Sequence, residues 1–192
     1  MNLDDAQIMR RVQREQFELF GELVKRHQRP LLRVATSKLA DATFAEDVVQ
    51  EAFLAAFAAR HTYNPHFSFR TWLGTILLNL CRRHLKRKAR RQKEIQGLAF
   101  SQTTDSRLVN AFSGESGLNQ LLRVERNELL IELLSELPEP QADALRLRFF
   151  AELKYDEIAR SMNCSISGAK LRVKNGLLSL AQRLQGREED SL

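Results

Sequence analysis

A chain of 192 residues, 43% of them hydrophobic, can bury one large core or two small ones. The formal net charge of +6 is a modest cationic excess for the whole chain, and Cys81 and Cys164 lie in unrelated segments without CxxC spacing, which excludes a disulfide framework and suits a reducing compartment. The opening MNLDDAQIMRRVQREQ is charged throughout and the longest apolar run, WLGTILLNLC, is far too short to span a bilayer, so no signal peptide and no membrane insertion are expected, and the expected location is the cytoplasm.

Proline and glycine are scarce and apolar residues recur every three or four positions, so the expected fold class is all-α, with no strand. Asp4 and Asp5 can start a short helix. QFELFGELVKRHQ continues with Phe17, Phe20, Leu23 and Val24 on one side, and Pro30 is expected to kink or restart the helix before LLRVATSKLA. Asp41 or Thr43 caps FAEDVVQEAFLAAFAAR, which must stop before Asn64-Pro65. On that helix Asp47, Gln50, Glu51 and Leu54 share one face, while Phe44, Val48, Ala52, Ala55 and Ala59 share another, an ordinary amphipathic pattern by itself.

Ser68 can cap the next helix, FRTWLGTILLNLCRRHLKRKARR. Phe69, Leu73, Ile76, Leu77 and Leu80 converge on one side of it, and Asn79, Arg82, Arg83, Lys86 and Arg90 form a stripe along another. Between Ala52 and Lys93 there are ten Arg or Lys residues and no Asp or Glu. A helix dipole can use two or three such charges, at about 0.3 to 1 kcal/mol each. A membrane-surface helix would need its apolar face on the same turns, whereas here that face belongs to the preceding ones. Cations encircle the helix beyond Leu85, so that end must project from its domain, and a stripe at this spacing tracks a phosphate backbone.

The Ser-, Gly-, Thr-, Asn- and Gln-rich stretch that follows reads as a linker over 94–120, dividing a first domain, 1–93, from a second, 121–186, with a polar tail at 187–192 expected to fray. In the second domain Leu122, Leu129, Leu130, Leu133 and Leu137 give one apolar face. Pro138 and Pro140 break that helix and open QADALRLRFF. YDEIARSM, NCSIS and GAKLRVKNGLLSLAQRLQ then have the logic of a helix-turn-helix. Ile158, Ala159 and Met162 pack the first helix, Asn163 takes a left-handed position, and Ser165 or Ser167 caps the second. Ala169, Val173, Leu177, Leu180 and Leu184 are expected to form its buried seam, with Leu171, Asn175 and Leu178 outward, Arg172 and Lys174 on the flanks and Lys170 nearer the seam. Outward leucines suit a protein partner more often than a thymine methyl. The four histidines are scattered, no Gly-rich phosphate loop occurs, and Cys81 with His84 is only a two-ligand pair, so no catalytic residue, cofactor or metal is expected.

AEDVVQEAFLAAF, FSFRTWLGTILLNLCRRHLKRKAR and LPEPQADALRLRFFAELKYDEIARSMNCSISGAKLRVKN resemble, in that order, the two domains of an extracytoplasmic-function (ECF, group 4) sigma factor of the sigma-70 family. The resemblance implies a region 2 helical bundle and a region 4 helix-turn-helix on a flexible linker, in a bacterial transcription-initiation factor without enzymatic activity of its own. Such a factor binds core RNA polymerase at the largest-subunit clamp and the flap, recognises promoter DNA and melts it. Carried over by motif, Asp47, Gln50, Glu51 and Leu54 would bind the clamp coiled coil. Asn79, Arg82, Arg83, Lys86 and Arg90 would hold the melted minus-ten strand, with Tyr63, Asn64 and His66 receiving a flipped base. Ser167, Lys170, Leu171, Arg172, Lys174 and Asn175 would contact the minus-thirty-five element. Family members are often held by an anti-sigma factor, and Leu171 with Leu178 would suit such a partner.

The chain departs from the family's pattern at Glu152, where Gly is usual. A left-handed residue there costs about 1 to 2 kcal/mol, so a turn built differently is expected. Gly168, Leu171, Asn175 and Leu177 also replace the family's more frequent Thr, Ser, Arg and Arg, which bears on the minus-thirty-five sequence and its affinity. The rival reading is a stand-alone helix-turn-helix regulator that binds duplex DNA without polymerase.

Overall fold

The structure, a computed structural model, describes residues 3–96 and 117–189, with side chains over 3–94 and 125–187. The described residues form eight α-helices and two short 3-10 turns, with no strand. The expected linker lies mostly outside the described residues, as does the side chain of Leu122.

The first module comprises α1 (Asp5–Val12), α2 (Phe20–Leu39), α3 (Ala42–Ala58) and α4 (Phe69–Gln96). Asp4 accepts from the Gln7 amide at 2.7 Å and the Gln7 side chain accepts from the Asp4 amide at 3.1 Å, a reciprocal cap that starts α1. Asp5 then clasps α1 to α2, accepting from His27 Nε2 at 2.6 Å and Arg26 Nη1 at 3.1 Å. These bonds, led by that to His27, hold the Asp5 carboxyl below its ordinary range.

Pro30 neither ends nor restarts α2, which runs unbroken for 20 residues. The ring removes one backbone hydrogen bond, but Leu23 and His27 before it and Leu31, Val34 and Ala35 after it are all buried on one face, and that packing carries the helix through. Ala40, at φ 53°, ends α2, and Asp41 is the residue that caps α3, its Oδ1 accepting from the Phe44 amide at 2.9 Å. Phe20 packs edge-on against Phe53, Phe57 and Phe69, joining α2, α3 and α4 at the centre of the module.

The second module comprises α5 (Gly117–Ser135), α6 (Glu139–Phe149), α7 (Tyr155–Ser161) and α8 (Ile166–Glu189). Asn163 adopts φ 48° as expected, and Ser165 caps α8, its hydroxyl accepting from the Gly168 amide at 3.0 Å. The turn before α7 is left-handed after all, with Glu152 at φ 55° between the buried Ala151 and Leu153. Burial of those two neighbours outweighs the steric cost of a Cβ in that conformation.

The α8 seam departs from expectation. Leu177 and Leu184 are 44% and 41% exposed, and the buried positions are Ala169, Val173 and Gly176, with Leu180 half-buried. At Gly176 α8 lies so close to α6 that a Cβ would stand 2.8 Å from Leu145 Cδ1 and 3.0 Å from its Cγ. Of the expected tail, 187–189 continue α8, and Arg187 pairs with Glu132 of α5 at 2.8 Å and with Glu136, just after α5, at 2.9 Å; the remainder lies outside the described residues.

The modules pack on one another, α4 against α7 and α2 against α5 and α6, and their apolar cores are continuous. Two substitutions test the second module. Glu152→Gly should raise its stability by about 1 kcal/mol by relieving the left-handed strain, and Gly176→Ala should lower it by about 1 to 3 kcal/mol through overpacking, both read as shifts of the urea midpoint at constant m-value.

Candidate nucleic-acid interface

α4 changes character along its 28 residues. Phe69, Leu73, Leu77, Leu78, Leu80 and Cys81 are buried, whereas every side chain from Lys86 to Glu94 is exposed. The cationic end therefore projects into solvent, as the residue pattern demands. Within the stripe, Asn79 and Lys86 are exposed, and Arg90 reaches only its own helix neighbour Glu94 at 3.3 Å. Arg83 is exposed and bonds Glu51 of α3, whose other oxygen meets His84 Nε2 at 2.7 Å. That pairing, with the His84 bond first among its causes, holds the Glu51 carboxyl below its usual range. Arg82 is half-buried, and its Nη2 donates to Asp143 of α6 at 2.9 Å.

The loop between α3 and α4 brings two of its three candidate residues to the surface. Asn64 and His66 are exposed, and Asn64 Oδ1 accepts from the His66 amide at 3.0 Å, fixing the turn. Tyr63 is 3% exposed and presents no face for stacking a base. Its ring lies against Phe69 and Trp72, its hydroxyl donates to the Phe67 carbonyl at 2.8 Å, and burial pushes its pKa up to about 12, so it stays a neutral donor that shapes the loop. Gln13, just after α1, holds the same loop from below, donating to the carbonyls of Arg60 at 2.8 Å and Tyr63 at 3.0 Å. Beside the loop opens a hollow of about 440 Å³ lined by Asp4, Asp5, Pro65, His66 and Phe67 among others.

On α3, Asp47 and Gln50 are exposed and Leu54 is 71% exposed, while Glu51 is half-buried by its bonds to α4. The acidic face and the basic stripe are thus joined at Glu51. On α8, Ser167, Lys170, Leu171 and Lys174 are exposed and Arg172 and Asn175 half-buried, so these candidates share one helix at the solvent side of the second module. Lys170 and Arg148 both sit over the Tyr155 ring, with charge-to-centroid distances of 5.9 and 5.0 Å.

Sequence models place this geometry. Residues 23–91 match the model for sigma-70 region 2 and residues 127–180 that for sigma-70 region 4. The RNA polymerase sigma-H factor of Pseudomonas aeruginosa is 31% identical over 188 residues, 94% of each chain. The chain belongs to the ECF sigma factors of the sigma-70 family. The ECF RNA polymerase sigma-E factor of Escherichia coli is 26% identical over 185 residues, 95% of each chain. Among solved structures, CnrH in complex with the cytosolic domain of CnrY superposes with a TM-score of 0.72 at 23% identity, over 95% of this chain and 97% of that one. The sigma factor RpoE in complex with the anti-sigma factor NepR from Bartonella quintana superposes with a TM-score of 0.63 at 23% identity, over 85% and 97%.

In this ECF sigma factor region 2 is therefore built on α2 to α4 and region 4 on α5 to α8. Four side chains that the sequence left without a role, Lys38, Glu139, Asp143 and Arg146, meet where the two regions touch. Their one sequence signal is an acid and an arginine, Asp143 and Arg146, one turn apart in a helix whose middle is otherwise apolar. The Glu51 junction yields a pH-dependent prediction. Because the folded-state pKa of Glu51 is depressed, its contribution is complete above the free value of 4.5 and is lost as pH falls through the lower folded value. With the carboxylate about two-fifths exposed, solvent screening limits the term, so Glu51→Gln should cost under about 1 kcal/mol at pH 7. The difference between the variant and the parent should shrink progressively in urea titrations as the pH is taken down from 4.5.

Proposed function

We propose a division of labour among the residues of this ECF sigma factor, which binds core RNA polymerase and directs promoter recognition and transcription initiation. Asp47, Gln50, Glu51 and Leu54 dock the largest-subunit clamp of the polymerase, a role favoured by the exposed leucine set among polar groups on α3. Asn79, Arg82, Arg83, Lys86 and Arg90 hold the backbone of the melted minus-ten strand, and Asn64 and His66 receive a base turned out of the stack into the hollow beside them. Tyr63 supports that loop from inside and does not itself stack. Ser167, Lys170, Leu171, Arg172, Lys174 and Asn175 present α8 to the major groove at the minus-thirty-five element.

The observation that carries this reading is the projection into solvent of the cationic end of α4, a helix whose opposite end begins at an exposed, hydrogen-bonded loop. Like charges concentrated on one helix end repel one another, and a polyanion relieves that repulsion while releasing its condensed counterions. No side chain is assigned a catalytic role, and the chemistry of RNA synthesis belongs to the core enzyme. No described helix is long and apolar enough to cross a membrane, and we place the protein in the cytoplasm with its polymerase.

Run-off transcription on a genomic promoter pool should require both this chain and core polymerase. Tight, specific binding of the chain alone to duplex DNA, with no stimulation of core, would favour the stand-alone regulator instead. In the same assay Lys86→Glu with Arg90→Glu should weaken open-complex formation and flatten the log–log salt dependence by about 1.5, two lost phosphate contacts at about 0.7 to 0.9 each. Unchanged initiation and an unchanged slope would remove the stripe from the mechanism.

Leu171 and Leu178, 57% and 54% exposed on α8, we assign to a protein partner of the anti-sigma kind. Support comes from the Bartonella relative, which was solved bound to one. Leu178→Lys should then abolish co-purification with an inhibitor that the parent retains.

A further inference from the structure

The junction of the two regions is bridged by charge. Asp143 on α6 is fully buried. Its Oδ1 accepts from Lys38 Nζ at 2.6 Å and Arg146 Nη1 at 3.2 Å, and its Oδ2 accepts from Arg82 Nη2 at 2.9 Å. Glu139, at the start of α6, accepts from Lys38 at 2.9 Å and Arg82 at 3.4 Å. Arg146 reaches back across the junction, donating to the hydroxyl and the carbonyl of Ser37, both at 2.9 Å. Two carboxylates of region 4 thus neutralise Lys38 and Arg82 of region 2. A second set of contacts closes the other end. Thr71 Oγ1 in the first turn of α4 donates to Glu157 at 3.0 Å, the Thr71 carbonyl accepts from the Ser161 hydroxyl at 3.1 Å, and Gly74 faces Leu147 and Leu153.

This arrangement cannot be the promoter-bound one. The two promoter elements are named for positions roughly 25 base pairs apart, which at about 3.4 Å each is about 85 Å of duplex. A compact chain of this length has a radius of gyration near 16 Å, hence a diameter of about 40 Å. The regions have to part before both elements are reached, and Arg82 has to leave Asp143 before it meets a phosphate.

We propose that Asp143 and Glu139 form an autoinhibitory latch: they occupy Arg82 in place of promoter phosphate and hold the free protein closed, so that association with core polymerase and promoter DNA requires the latch to break. This rests on the functional reading above and adds a regulatory step to it. A buried ion cluster is sensitive to loss of one partner, because the remaining charges are then buried without compensation. The release route is visible. Lys86, one turn beyond Arg82, stands exposed at a cleft of about 380 Å³ that Arg82, Lys38 and Arg146 also line. A phosphate arriving at Lys86 is placed to compete for Arg82.

The test uses the full chain and two variants. Asp143→Asn removes the charge that holds three cations. Gly74→Gln wedges the junction from the other side: beyond the backbone of α4 itself, a Cβ there meets only Leu147 and Leu153 of region 4, at 3.7 and 4.0 Å, so region 2 has no reason to unfold. Small-angle scattering should give about 16 Å for the parent and more than about 20 Å for the variants, as expected for one compact body and for two joined by a tether. Association with core polymerase should be at least ten-fold faster for the opened variants. An extended parent, or Gly74→Gln with native helicity and an unchanged radius, overturns the latch, as do variants that open yet associate no faster. If Asp143→Asn fails to fold, Gly74→Gln alone decides. A parent that drives run-off transcription while the variants merely match it sinks the latch and spares the functional reading; a parent that never engages core sinks both.

Discussion

A carboxylate with no access to water must be neutralised where it sits, and Asp143 sets that requirement for the whole molecule. Three cations answer it, and they come from three helices, Lys38 on α2, Arg82 on α4 and Arg146 on α6. Desolvation at this point is strong enough to hold the Arg146 guanidinium below its ordinary pKa and to push the neighbouring Cys81 thiol up to about 11. The Cys81 thiol therefore stays protonated and behaves as a small apolar filler. The relative placement of the two regions is one that satisfies this buried charge.

The division of charge has a matching logic. α4 is acid-free until Glu94, while the acids that bond its Arg82 and Arg83 belong to other helices, Glu51 to α3 and Glu139 with Asp143 to α6. Each is a long-range partner that can be exchanged for phosphate without disturbing the backbone of α4. Arg83 is tied to region 2 itself, Arg82 to region 4, and Lys86 and Arg90 face water, so the stripe is graded from occupied to available along its length.

Helix content and the position of the cationic end were legible because both depend on local period and composition. So were the Asn163 turn and the opening of α6 at its prolines. The α8 seam was misread for a geometric reason. Steps of four residues along Ala169, Val173 and Leu177 drift about 40° each around the helix, so the real contact line steps back to Gly176, which an apolar count overlooks. Tyr63 lay between two breaks that say nothing about inside or outside, and its burial is decided by Phe69 and Trp72. Glu152 follows the same rule in reverse: local preference argued against a left-handed residue, and the burial of Ala151 and Leu153 prevailed. The latch was invisible because Asp143 and Lys38 are 105 positions apart, and one chain read alone offers no periodicity at that distance.

α4 has one last consequence. Twenty-eight residues of uninterrupted helix extend about 42 Å at 1.5 Å per residue, with no proline or glycine beyond Gly74 to bend them. The rod is gripped along its first half by the core, from Phe69 to Cys81, and free at its tip. Its outer half is a stiff outrigger of that core, which holds the positions of Lys86 and Arg90 at a fixed reach from it.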